Sequence, residues 1–168
     1  MDAFIMNQET IEKSPIQIKI PSPKYKYWIQ TRDGDSAGMR LYKRHYSSRD
    51  YKDGRQTKKY VGPGEYIALI TPDCKALFVW RKFISMDSQE GINCAIFRNE
   101  TEILSSELIL EAEKFAIERW GPIRFYTYVN PRKIKSTNPG YCFQMARWKR
   151  CGRTKSGLIV LDKIPWQN

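Results

Sequence analysis

The chain has 168 residues and a formal net charge of +11, with 29 Lys and Arg residues against 18 Asp and Glu. Its length suits one domain with one core, and its 41% hydrophobic and 13% aromatic content exclude a disordered chain. No apolar run approaches the roughly 18 residues that span a bilayer, and no signal-peptide pattern opens the chain. We therefore expect a cytoplasmic protein without a membrane partner.

Residues 1–35 are predicted to form an N-terminal arm, and residues 36–168 a single domain. Ile16, Ile18 and Ile20 alternate with polar residues between two prolines, which indicates a short strand. Such an arm serves either as an edge strand or as a strap that binds a partner, and the sequence leaves both roles open.

The segment of residues 36–64 is polar, basic and glycine-containing, and it holds His45, the only histidine. It has no clean strand or helix period, so we predict a loop with one short helix around residues 37–46. Long loops inside compact domains tend to be functional or mobile.

Three strands are predicted next. Tyr66–Ile70 and Ala76–Phe83 are rich in β-branched and aromatic residues, and the turn-forming sequence Thr71-Pro72-Asp73 separates them. A third strand spans Ile92–Arg98. The three strands are expected to form an antiparallel meander.

Residues 105–120 are the clearest predicted helix, with Gly121-Pro122 as its end. Ser105 or Ser106 is expected to cap its N-terminus, and Glu107 suits the first turn. Its predicted apolar face consists of Leu108, Ile109, Ala112, Phe115, Ala116 and Trp120.

The stretch from Arg124 to Leu161 predicts a strand, a polar loop, a short helix and a final strand. The first strand is Arg124–Val129, and the short helix follows Asn138-Pro139-Gly140 and ends near Trp148. The final strand is expected over Thr154–Leu161, with Gly157 inside it.

The four cysteines form no CxxC pair, and one histidine completes at most one zinc set, so no metal site is predicted. We expect buried, reduced thiols at all four positions. They are Cys74, Cys94, Cys142 and Cys151.

The positive charge is clustered, which favours a polyanionic partner over a merely solubilising surface. One group consists of Arg40, Lys43, Arg44, Arg49, Lys52, Arg55, Lys58 and Lys59. A second consists of Arg147, Lys149, Arg150, Arg153 and Lys155. Aromatic residues that suit unstacked bases lie among them: Tyr42, Tyr46, Tyr51, Tyr60 and Trp148.

From about residue 60 to residue 163 the order of elements resembles that of the GNAT acyltransferases. The resemblance implies a mixed, mostly antiparallel α/β (α+β) sheet flanked by helices. It also implies that acetyl-CoA or a related acyl-CoA lies in a V-shaped splay between the family's fourth and fifth strands. In this sequence those strands correspond to Ile92–Arg98 and Arg124–Val129. The residues expected to bind the cofactor are Phe97, Arg98, Ser105, Ser106 and Asn138.

Two positions depart from the GNAT pattern. The family's pyrophosphate loop contains glycines before the long helix, whereas residues 98–106 contain none. Phe143 stands where many members have a tyrosine general acid. Within the superfamily the chain is most similar to phage Mom-type proteins, through His45-Tyr46-Ser47 and the segment from Val129-Asn130-Pro131 to Pro139-Gly140-Tyr141.

Mom-type proteins modify adenine in DNA at its exocyclic amine (N6) and thereby protect the DNA from restriction. The resemblance implies DNA as substrate and catalytic roles for His45, Tyr46 and Tyr141. Asn130 falls near the position where the family has an aspartate. Glu100 is an alternative base. The residues expected to contact DNA are Arg44, Arg49, Lys58, Lys59, Arg132 and Lys133.

Two other functions fit the same residues. The chain can be a GNAT acetyltransferase that acts on a protein or a small amine. Alternatively, it can be an inactive protein that kept the GNAT fold and binds nucleic acid, since the glycine loop is missing and Phe143 replaces the tyrosine.

Overall fold

A computed structural model describes residues 24–167, so the strand expected over residues 16–20 lies outside the described part of the chain. The predicted mixed, mostly antiparallel sheet flanked by helices is confirmed. The strands are β1 Ile29–Thr31, β2 Glu65–Ile70, β3 Ala76–Lys82, β4 Ile92–Asn99, β5 Phe125–Val129, β6 Lys149–Arg153 and β7 Ile159–Lys163. The helices are α1 Ser36–Lys43, α2 Ser105–Trp120 and α3 Tyr141–Met145.

The strands of the described residues form one sheet in the order β1-β2-β3-β4-β5-β7-β6. Only β4 and β5 run parallel, because α2 carries the chain back across the sheet between them. Their register pairs Ile92 with Phe125, Asn93 with Tyr126 and Cys94 with Thr127. Within residues 24–167 the two strands have no pairing beyond Cys94, although β4 continues to Asn99.

One face of the sheet carries an aromatic core under α2 and α3. Trp80 is fully buried, and its indole N–H donates to the Ala112 carbonyl at 2.8 Å. Trp148 is 2% exposed, and its indole N–H donates to Glu113 at 2.8 Å. Burial raises the pKa of Glu113, and Lys163 Nζ, at 2.6 Å, partly offsets that effect. Aromatic burial with satisfied N–H groups is a strong source of stability.

The opposite face is covered by α1, which the sequence predicts correctly apart from its last residues. Asp35 caps this helix by accepting from the Gly38 N–H at 2.9 Å. A Cβ atom on Gly38 would lie 2.4 Å from the Tyr60 hydroxyl oxygen, so glycine is needed where Tyr60 packs. This contact packs Tyr60 against the first turn of α1.

α2 occupies the predicted span, and Gly121 ends it as expected. The predicted cap is wrong, because Leu104 is the N-cap and Ser105 and Ser106 lie inside the first turn. Ser105 Oγ instead accepts from Asn99 Nδ2 at 3.0 Å, since Asn99 organises the preceding loop. No helix within the described range is long and apolar enough to cross a membrane.

The predicted final strand, Thr154–Leu161, is right only in its second half, because β7 spans Ile159–Lys163. Its first half is the turn of a hairpin between β6 and β7, where the Thr154 N–H donates to the Leu158 carbonyl at 2.9 Å. Gly157 lies in this turn with φ +89°. All five residues of β6 are exposed at the sheet edge, so this strand has no apolar alternation by which the sequence could reveal it.

The last part of the predicted N-terminal arm is packed against α2. Glu111 is buried and accepts from the N–H groups of Lys26, Tyr27 and Trp28 at 2.6, 2.7 and 3.0 Å. β1 then pairs with β2 as an edge strand. A carboxylate that accepts three backbone hydrogen bonds compensates for its own burial.

Candidate functional site

A cavity of about 110 Å³ lies where the pairing between β4 and β5 ends. Its wall is formed by β4 and β5, the loop after β5, the start of α3 and the turn after α1. The residues are His45, Tyr46, Cys94, Ala95, Phe97, Thr127, Tyr128, Val129, Ile134, Gly140, Cys142 and Phe143. Pockets for whole ligands measure roughly 300–1,000 Å³. The cavity is therefore suited to the reactive end of a larger molecule.

His45 and Tyr46 reach this cavity from the turn that follows α1. The His45 N–H donates to the Tyr42 carbonyl at 2.8 Å and continues the helical hydrogen bonding by one step. The two rings stack with their centroids 4.4 Å apart. The Tyr46 hydroxyl donates to the Tyr128 carbonyl at 3.2 Å, which connects this turn to β5.

An ion-pair cluster holds the same turn against β4. Arg44 contacts Glu100 through two hydrogen bonds of 2.7 Å, and Arg98 Nε donates to Glu100 at 2.6 Å. Arg98 Nη1 also donates to the Arg44 carbonyl at 2.6 Å. The hydrogen bonds from Arg44 and then Arg98 lower the pKa of Glu100 to about 2. Both carboxylate oxygens accept from guanidinium groups, which argues against Glu100 as the base.

The cluster also changes the interpretation of two sequence-derived contacts. Arg44 was expected at DNA and Arg98 at the cofactor, but both guanidinium groups are engaged with Glu100. Their observed contacts position the turn that carries His45. A role for either residue at a ligand stays a prediction.

The half-buried His45 ring is neutral at pH 7. Burial and the positive charge of Arg98 lower its pKa to about 4, and a hydrogen bond with the Phe97 backbone opposes this shift. Ser47 places its N–H 3.2 Å and its Oγ 2.7 Å from His45 Nδ1. Because a backbone N–H only donates, Nδ1 is the acceptor, and we assign the ring proton to Nε2.

Tyr46 remains a protonated phenol at neutral pH. Burial raises its pKa, and a hydrogen bond with the Asn130 backbone lowers it in part. The Asn130 side chain faces the following loop, where its Oδ1 accepts from the Arg132 N–H at 3.1 Å. Asn130 therefore meets Tyr46 through its backbone, while its amide stabilises the turn.

The predicted catalytic residues do not all meet at the cavity. Tyr141 begins α3 with 55% of its surface exposed and does not line the cavity, although Gly140 and Cys142 do. Phe143 is buried, with its ring centroid 4.9 Å from that of Trp148. Gly140 has φ +85°, which favours glycine at the start of this wall.

The residues predicted to bind a cofactor occupy three different settings. Phe97 lines the cavity, and Ser105 and Ser106 lie in the first turn of α2, just beyond the end of β4. Asn138 has its amide engaged, since its Nδ2 donates to Gln144 at 2.9 Å and its Oδ1 accepts from Arg150 at 2.6 Å. It supports the loop between β5 and α3.

The expectation of four buried thiols is half right. Cys94 is buried and Cys142 half-buried at the cavity, and burial raises the pKa of both. Cys74 and Cys151 are exposed. Neutral thiols are weak nucleophiles, so neither cavity cysteine is poised for covalent catalysis. Across residues 24–167 no three His, Cys, Asp or Glu side chains group as metal ligands do.

Most aromatic residues proposed to stack on bases belong to the core. Tyr42, Tyr60 and Trp148 are buried, whereas Tyr46 and Tyr51 are exposed. Of the cations expected at DNA, those outside the Glu100 cluster are exposed: Arg49, Lys58 and Lys59 in the basic segment, and Arg132 and Lys133 after β5.

A basic surface near the cavity is larger than the sequence analysis recognised. We call it the C-terminal band; it comprises Arg132, Lys133, Lys135, Arg150, Arg153 and Lys155, all exposed. The signal was available in the sequence, because no Asp or Glu occurs between Glu118 and Asp162. Ser47 was missed as a partner of His45, because a serine two residues away carries no signal of its own.

Comparisons with protein-family models, with curated proteins and with solved structures find no significant match to this chain.

Proposed function

We propose that this protein is a GNAT-like transferase of the Mom type, which acylates the exocyclic amine of adenine in DNA from an acyl-CoA donor. One observation carries the proposal. His45 and Tyr46, from the distant turn after α1, line the cavity at which β4 and β5 stop pairing. A site for proton transfer thus coincides with the location where the family resemblance puts the acyl group.

The residues present fit an acyl-CoA donor in three respects. The cavity has room for a short acyl group and its thioester. Beyond Cys94 the edge of β4 that faces β5 has no strand partner within the described chain, so its backbone groups can hydrogen bond an extended ligand. The N-terminal turn of α2, with Ser105 and Ser106, can hold a pyrophosphate through its amide groups. When bound, the donor supplies an activated acyl carbon.

The side chains at the cavity can manage the proton of the reaction. Acyl transfer joins the amine nitrogen to the acyl carbon, breaks the carbon–sulfur bond and moves one proton from nitrogen to sulfur. Neutral His45 can accept a proton at Nδ1, where Ser47 now bonds. Protonated Tyr46 can donate to the departing sulfur.

The surroundings of the cavity support DNA as the acyl acceptor. Adenine's amine is inaccessible inside a stacked duplex, so an enzyme must extrude the base or act on a single strand. The loop that contributes Ile134 and Gly140 to the cavity also carries Arg132 and Lys133. Phosphate-binding cations and the reactive site thus share one loop.

The decisive experiment is nucleoside mass spectrometry of DNA from a host that expresses the protein. We expect modified adenine with the wild type and none above background with His45→Gln. Tyr46→Phe, which removes one hydroxyl, should reduce the yield. Tyr51→Phe is the matched control, because Tyr51 is an exposed tyrosine of the same segment outside the cavity. If adenine stays unmodified even with the wild type, the proposal is refuted.

Calorimetry with acetyl-CoA, together with DNA affinity, separates the alternatives. Donor binding without DNA affinity would favour a transferase for proteins or small amines. DNA affinity without donor binding would favour an inactive nucleic-acid-binding protein. Binding of both, with the salt dependence typical of phosphate contacts, is the result expected of the proposed enzyme.

A further inference from the structure

We propose that the C-terminal band and Tyr141 form a surface for single-stranded or locally unpaired nucleic acid, with phosphates on the band and one base stacked on the Tyr141 ring. The inference rests on the proposed function for the choice of DNA as the target. It adds the mode of recognition and gives Tyr141 a role different from the catalytic one that the family resemblance implies.

The band is one continuous surface. Arg153 Nη1 donates to the Gly157 carbonyl at 3.4 Å, and Arg132 Nη2 lies 3.8 Å from the position that a Cβ atom on Gly157 would occupy. Arg150 Nη2 donates to Asn138 Oδ1 at 2.6 Å and to the Pro139 carbonyl at 2.9 Å. The β6–β7 turn, the edge strand and the loop after β5 therefore meet at one end of the sheet.

The cations of the band are not neutralised by the rest of the described chain. Among residues 24–167, none of its six side chains forms a salt bridge, whereas elsewhere Arg44, Arg98 and Arg124 each do. Exposed, unpaired cations gain most from a polyanion, because each phosphate contact releases condensed counterions. The expected partner is therefore one with closely spaced negative charges.

Tyr141 makes nucleic acid the best occupant among polyanions. Tyr141 is 55% exposed, and its neighbours Gly140 and Cys142 line the cavity. Arg150 contacts the Pro139 carbonyl two residues before Tyr141. An exposed tyrosine next to both the band and the cavity wall offers a stacking platform for a base whose backbone follows the cations. The ring face, not the hydroxyl, is what this arrangement uses.

The test is fluorescence anisotropy with a labelled single-stranded DNA that contains adenine, measured over a salt series. The band variant carries Arg132→Gln, Lys133→Gln and Arg153→Gln. Its matched control carries Lys75→Gln, Lys82→Gln and Lys114→Gln, which removes the same charge from exposed positions outside the basic segment and the band. The band variant should lose about tenfold or more in affinity, and its log–log salt slope should fall by about two. Equal losses in both variants would overturn the assignment.

Two substitutions of Tyr141 distinguish a stacking role of its ring from a catalytic role of its hydroxyl. Tyr141→Ala should weaken binding on the order of tenfold, while Tyr141→Phe should bind as the wild type does. Equal losses with Ala and Phe would overturn the stacking role. Phosphatidylserine vesicles are the second probe. If the vesicles bind as tightly as DNA and the binding depends on the band in the same way, nucleic acid is overturned as the partner.

The binding assay contains no acyl donor, so its outcome is separate from that of the proposed reaction. If DNA binds through the band but no adenine becomes modified, the proposed function fails and the surface stands. If adenine is modified while the band variant binds DNA normally, the surface fails and the proposed function stands.

Discussion

The basic segment of residues 36–64 and the C-terminal band have similar composition but different surroundings. In the segment, Arg44 contacts Glu100 and Arg55 contacts Asp53, while the other six cations form no salt bridge within residues 24–167. Two of its tyrosines, Tyr42 and Tyr60, are packed in the core. In the band, no cation has a carboxylate partner within residues 24–167. Local charge density alone therefore does not identify a binding surface, because acids distant in sequence can neutralise it.

The comparison suggests a division of labour. Arg44 of the segment, together with Arg98 and Glu100 of the β4 end, holds the turn with His45 and Tyr46 at the cavity. The unpaired cations of the band are available to a partner. Variants in the first region should thus alter stability and chemistry, and variants in the second should alter affinity and its salt dependence.

The largest expected effect is the loss of stability when an aromatic residue of the core is removed. Trp148 lies in a basic stretch, yet it packs against Phe143 and donates to Glu113 in the core. Trp148→Ala should reduce the free energy of unfolding by about 3–5 kcal/mol, as measured by urea denaturation. Tyr51→Ala, at an exposed position of the other region, should change it by less than about 0.5 kcal/mol. A mild effect of Trp148→Ala would mean that its ring is not a core element.

The next largest effect is on the rate of DNA modification, and it distinguishes a role of His45 in the reaction from a role in DNA binding. His45→Gln should lower the rate of DNA modification by about 100-fold or more, because a group that transfers protons is lost. Its DNA affinity should stay within about twofold of wild type, since the band is unchanged. Single-turnover rates at saturating DNA make the distinction. Loss of affinity without loss of the saturated rate would place His45 in binding instead.

Sequence patterns sufficed where apolar periodicity was strong. They predicted α2 and the strands β2 to β5 to within one or two residues, because each of these elements buries a regular set of side chains. They failed at β6, whose exposed residues show no alternation, and at the cap of α2, where Leu104 occupies the position expected of a serine.

The candidate site was predictable only in part. His45 and Tyr46 were recognised from their residue types and the family resemblance, but their position at the β4–β5 cavity depends on contacts distant in sequence. Arg98 and Glu100, which hold the turn, lie more than fifty positions from Arg44. Such pairs leave no mark in the spacing of residues along one chain.

The Glu100 cluster gives a smaller effect that tests the division of labour. Glu100→Gln should lower stability by about 1 kcal/mol at pH 7, because it removes a carboxylate that two arginines share. The folded-state pKa is depressed to about 2, so this contribution exists above the unfolded value near 4.5 and is lost as the pH falls from there toward 2. Asp53→Asn, in the exposed pair with Arg55, should have almost no effect in thermal denaturation.

The smallest expected effect concerns the titration of His45, which nuclear magnetic resonance can follow without ambiguity because the chain has one histidine. The folded-state pKa is lowered to about 4, below the ordinary value of 6.5. The folded protein then binds fewer protons than the unfolded chain between these values, so stability should fall as the pH drops from 6.5 to 4. Solvent reaches the half-buried ring, which keeps the loss small.

The groups that surround His45 keep this measurement specific. Those near it are Arg44, Arg98, Glu100, Tyr46, Tyr128, Cys94 and Cys142. Of these, Glu100 has its pKa near 2, and the pKa values of the tyrosines and thiols are raised. His45→Gln should therefore remove the His45 contribution to the pH dependence between 6.5 and 4, which Lys58→Gln, at an exposed position of the same segment, retains. A His45 resonance that titrates near 6.5 would instead indicate a solvated ring, and the turn would then not be held at the cavity.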